Sequence, residues 1–90
     1  MIINFFRNRS TRCYAVVQEN PEDNMLLSQT IKVLLEAGYK AKTYIAGGTV
    51  FGYVWMKSDE YEKVSNLLSI IDGVSVNPEP IDRKMEWLVK

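Results

Sequence analysis

The sequence predicts an α+β domain of the ferredoxin-like type, β-α-β-β-α-β, with two helices on one face of an antiparallel sheet. Three observations predict it. Short runs rich in β-branched and aromatic residues alternate with amphipathic stretches of helical period. Glycines stand where each helix should stop. A two-glycine step separates two apolar runs at hairpin spacing.

The elements follow in order. CYAVVQ (13–18) is the first strand. In the ENPED that follows, Asn20 is the expected cap, Pro21 suits the first helical position, and Glu22 and Asp23 favour the positive end of the helix dipole. Leu27, Ile31, Leu34 and Leu35 then share one helical face, and Gly38 ends it. AKTYIA (41–46) is the second strand. Gly47-Gly48 supplies the positive φ angles of a tight turn, and TVFGYVWM (49–56) returns as the third strand. Ser58 is the expected cap of a second helix, with Asp59 and Glu60 in its first turn. Tyr61, Val64, Leu68 and Ile71 form its core face, and Gly73 closes it. The fourth strand comes from VSV (74–76), from MEWLVK (85–90), or from both, on either side of the proline-broken NPEP. Residues 1–90 are expected to form a single domain, with 1–12 as an extra edge strand or a mobile arm.

Composition narrows the chemistry. No apolar run approaches the roughly 20 residues that span a bilayer, and the arginines near the start follow the short apolar stretch instead of preceding it. A soluble, cytoplasmic chain with no membrane partner is expected. Eleven Lys and Arg balance eleven Asp and Glu, so there is no whole-molecule attraction to nucleic acid or anionic lipid. The chain has no histidine, which excludes Ser-His-Asp and Cys-His nucleophile pairs and every histidine-containing zinc site. Cys13 is the only cysteine, so no internal disulfide forms, and its apolar setting predicts a buried, inert thiol. Glu60 and Glu62 are two residues apart and point in different directions on a helix. No catalytic residue, cofactor or metal is expected.

Strand parity points to a surface. Gly52 has no side chain and would let a helix approach closely, so Val50, Gly52, Val54 and Met56 are expected beneath the helices. Cys13, Ala15, Val17, Thr43 and Ile45 are placed on the same side. The open face is then expected to carry Tyr14, Tyr44, Phe51, Tyr53 and Trp55, a patch large enough to mark a contact surface. Arg7, Arg9, Arg12, Lys42 and Lys57 are candidate contacts to phosphates or to an acidic partner. The alternative is that the ends of the chain, IINFF or MEWLVK, lie over the aromatic face, or that the parity is reversed.

Two resemblances bear on these residues. Phe51, Gly52, Tyr53 and Val54 match the third to sixth places of the third-strand octamer of the RNA-recognition motif, while Thr49, Val50 and Met56 differ from it. DEYEKVSNLLSIIDG followed by IDRKMEWLVK also resembles the second helix and last strand of that family. The resemblance implies that Tyr14, Phe51 and Tyr53 stack bases and that Arg12, Lys42 or Lys57 meet phosphates. Residues 13–69 resemble small prokaryotic signal-transducing domains with a nitrogen-regulatory-protein-like fold, through the helix ending LLEAG, the VWM strand and the acidic-capped helix. That resemblance implies a regulatory or binding role with no defined catalytic residues. The expected function is a non-catalytic module that binds a protein partner or forms a homodimer through its aromatic sheet face, as a small regulator or inhibitor. Single-stranded RNA binding through the same face is the alternative.

Overall fold

The computed structural model describes residues 11–90. The expectations placed on Arg7, Arg9 and the IINFF stretch lie outside the described residues. The chain runs β1 (Thr11–Gln18), α1 (Asn24–Glu36), β2 (Lys40–Ala46), β3 (Thr49–Lys57), a 3-10 turn (Ser58–Glu60) leading into α2 (Tyr61–Leu68), β4 (Val74–Pro80) and α3 (Arg83–Val89). The four strands form one antiparallel sheet in the order β2-β3-β1-β4. This is an α+β arrangement compatible with the ferredoxin-like fold, with a third helix after the last strand.

Local chemistry explains most boundaries. Ala46 pairs with Thr49 across Gly47 and Gly48, whose φ angles of 59° and 81° fit a two-residue hairpin turn. Helix α1 ends in a Schellman motif. Gly38, at φ 95°, donates its N–H to the Leu35 carbonyl, and the Tyr39 N–H reaches the Leu34 carbonyl. The start of α1 differs from expectation. Asp23 caps it by accepting from the Leu26 N–H at 3.0 Å, while Asn20 accepts from the Glu22 N–H in a turn that precedes the helix. Pro21 therefore lies in that turn and not at the first helical position. Ser58 does not cap α2. The chain enters through the 3-10 turn, where the Glu60 carboxylate accepts from the Lys57 N–H at 3.0 Å.

The fourth strand is the VSV segment, and it continues through NPEP. Two prolines are tolerated there because β4 is an edge strand, where a missing N–H breaks no ladder on the outer side. The pairing shifts between Val16–Val76 and Tyr14–Pro80, so the surplus residues bulge from β4. MEWLV is helical and forms most of α3, with Lys90 as its C-cap.

Helices α1 and α2 cover one face of the sheet. Leu27, Ile31, Leu34, Val64 and Leu68 pack there against Tyr14, Val16, Ala41, Val54, Met56 and Val76. A β-carbon added to Gly52 would stand 2.6 Å from Leu27 Cδ1, so the bare backbone at this position sets how closely α1 lies on the sheet. Parity is as expected for β3, and for β2 in that Ala41 lies under the helices and Tyr44 packs on the opposite side. On β1 it is reversed. Tyr14 and Val16 point under the helices, while Cys13 and Ala15 join Tyr53 and Trp55 on the other face. The pairing of Tyr14 with Val54 and of Cys13 with Trp55 fixes this, because residues opposite each other across an antiparallel pair share a face.

Candidate binding site

The second face of the sheet is covered in part by α3. Asp82 caps this helix by accepting from the Lys84 N–H at 2.8 Å. Just before it, the Ile81 N–H donates to the Cys13 carbonyl at 2.9 Å, which ties the segment to β1. Arg12 then grips the same segment twice. Its Nη2 donates to the Ile81 carbonyl and its Nε to Glu86 Oε2, each at 3.0 Å. The other Glu86 oxygen accepts from the Cys13 N–H at 2.9 Å. Both oxygens of one carboxylate on α3 are thus engaged by β1, and Val89 is seated, fully buried, against Cys13, Tyr53 and Trp55.

This latch changes the standing of the expected site residues. Tyr53 and Trp55 lie on the expected face but are only 6% and 9% exposed. Tyr44 is half-buried at the edge of the same cluster, and Phe51, at 42% exposure, remains open. Tyr14 is under the helices and is removed from the surface set. Arg12 is engaged with Glu86 and Ile81, so it is not a free contact for a phosphate. Lys42 stands opposite Tyr53 on the neighbouring strand, and Lys57 ends β3 beside the 3-10 turn.

Beside α3 the surface opens into a cleft of about 510 Å³, lined by Lys40, Trp55, Arg83, Glu86, Trp87 and Lys90 together with Thr11. Lys40 Nζ lies 4.8 Å from the centroid of the Trp55 ring, and Lys90 Nζ lies 5.8 Å from that of Trp87. Among the described residues, Lys40, Arg83 and Lys90 have no carboxylate within ion-pairing distance. Trp87 is 81% exposed, and Leu88 beside it is exposed as well.

The Cys13 thiol faces this side and is fully buried. Burial, reinforced by the negative charge of Glu86, pushes its pKa from an ordinary 9.0 up to about 12. The thiolate that a nucleophile or a metal ligand requires is therefore scarce near neutrality. Burial also raises the Tyr14 and Tyr53 hydroxyls above their usual range. Among the described residues, no three His, Cys, Asp or Glu side chains converge as a metal site would require, and no helix is long and apolar enough to cross a membrane.

Sequence reasoning missed Arg83, Trp87 and Lys90 because MEWLVK reads as a strand from its apolar residues. A helix signal was present. Asp82 is a good cap, and Arg, Lys, Met, Glu and Leu at 83–88 are strong helix formers. No family model matches the chain, and no curated protein matches it.

Proposed function

We propose that this chain is a non-catalytic binding module, built on a ferredoxin-like β-α-β-β-α-β core, that engages a protein partner through the surface presented by α3 and the exposed rim of the aromatic sheet face. The exposure of Trp87 carries the reading. An indole four-fifths in water next to an exposed Leu88 is unusual on a small domain that buries its other tryptophan, and such rings serve as anchors in contacts between proteins. Such a module would act as a regulator or inhibitor of a larger assembly. The resemblance of residues 13–69 to small signal-transducing domains agrees with that role.

Single-stranded RNA binding is the second reading. The cations Lys40, Arg83 and Lys90 beside two indoles favour it. It ranks lower because the stacking set implied by the octamer is divided. Tyr14 is under the helices and Tyr53 is buried, which leaves Phe51 exposed.

A peptide-display selection against the immobilised chain tests the first reading. Selected binders should fail on a Trp87→Ala/Leu88→Ser variant whose thermal midpoint stays near that of the parent, since exposed substitutions usually change stability by no more than about 0.5 kcal/mol. A selection whose binders ignore both residues, or that yields none, removes the proposal.

A further inference from the structure

We propose that the cleft beside α3 takes an acidic segment of the partner, with carboxylates flanking a bulky apolar side chain. This rests on the binding-module reading and adds the chemistry of the partner. Lys40, Arg83 and Lys90 line the cleft, and the side-chain carboxylate among its lining residues, Glu86, has both oxygens engaged by Arg12 and the Cys13 N–H. The formal charge of the whole chain is zero, so the positive excess is local to this cleft. The apolar component is supplied by Trp87 in its lining, with Leu88 exposed next to it in the chain.

Two other occupants fit less well. A second copy docked about a twofold axis would set this patch against itself and bring like charges together. A nucleic-acid strand needs open ring faces for its bases. Trp55 is nearly buried, and each indole already has a lysine ammonium near its ring. A carboxylate is attracted to those same ammonium groups and needs no ring face.

The test titrates the full chain with three fluorescein-labelled probes: a short peptide of glutamates interspersed with leucines, its glutamine-for-glutamate counterpart, and oligouridylate of matching length. The acidic peptide should bind at least about tenfold tighter than the glutamine peptide, with an affinity that falls as salt rises. A Lys40→Gln/Arg83→Gln variant should lose that advantage while keeping the parent thermal midpoint. Arg83→Gln alone, at an exposed helix position, should shift affinity in the same direction and covers the case in which the Lys40 change disturbs Trp55. Equal binding of the two peptides overturns the acidic assignment and leaves the binding-module reading in place. Tighter binding of oligouridylate overturns it in favour of nucleic acid. Failure of both peptides also overturns it, and the wider reading then depends on the display selection.

Discussion

Beneath α1 and α2, four leucine and valine side chains, Leu27, Leu34, Val64 and Leu68, are buried against one side of the sheet. On the opposite side α3 contributes Val89 as its buried side chain and is otherwise held by Glu86 and the Ile81 backbone. The first face is closed by apolar area, which is non-directional and sums over many contacts. Among the described residues, the second is held by Val89 and by a few directional bonds to Glu86 and the Ile81 backbone. A helix held in this way can be released by a single change, while a helix held by area resists one. The contrast agrees with placing the proposed binding surface on the lightly latched face. The heavily packed face stabilises the domain, and the lightly latched face keeps Trp87 and three cations in contact with water.

The comparison can be broken at either face. The largest effect is expected on the packed side. Leu34→Ala removes a fully buried side chain and should cost about 2–5 kcal/mol in denaturant unfolding. A loss below about 1 kcal/mol would mean that this face is not the main core.

Glu86→Gln should cost less, about 1.5–3 kcal/mol, because it weakens charge-assisted bonds to Arg12 and the Cys13 N–H. Its signature is local. Cys13 should become open to thiol labelling much faster than the loss of global stability accounts for, because fraying of α3 uncovers it. In Leu34→Ala, labelling should rise only in proportion to global unfolding. Identical labelling behaviour in the two variants would erase the distinction between area and latch.

The last effect is an alkaline one, small near neutrality and growing with pH. Below pH 9.0 the Cys13 thiol is protonated in both the folded and unfolded chain. Between 9.0 and about 12 the folded chain keeps a proton that the unfolded chain loses, so stability falls as pH rises through this window. Tyr14 and Tyr53, both raised by burial, act in the same direction at higher pH. Denaturant midpoints that stay level from neutral pH to strong alkali would contradict the burial of all three groups.

Where a local sequence signal has one physical outcome, it was legible. Gly47-Gly48 can take the two positive φ angles that a hairpin needs, and Gly38 can end α1 in the left-handed region. Gly52 inside an aromatic strand marked the close approach of a helix, which Leu27 supplies. The candidate site was legible only in outline. Tyr44, Phe51, Tyr53 and Trp55 do share a face, but alternation along β1 gives two sets and does not say which set meets the helices. Both sets were apolar, so size alone placed Tyr14 on the wrong side.

The sequence by itself determined the element order up to β4, the hairpin turn, the stop of α1 and the side of β3 that meets the helices, because each follows from backbone geometry within a few residues. Tertiary structure decided the facing of β1 and the fate of MEWLVK. Cross-strand register turned Tyr14 inward. With VSVNPEP in the edge position beside β1, the last segment folded as a helix whose Glu86 and Val89 find partners on the far side of the sheet. Those partners are distant in the chain, and short apolar runs fit strand or helix until such contacts select one.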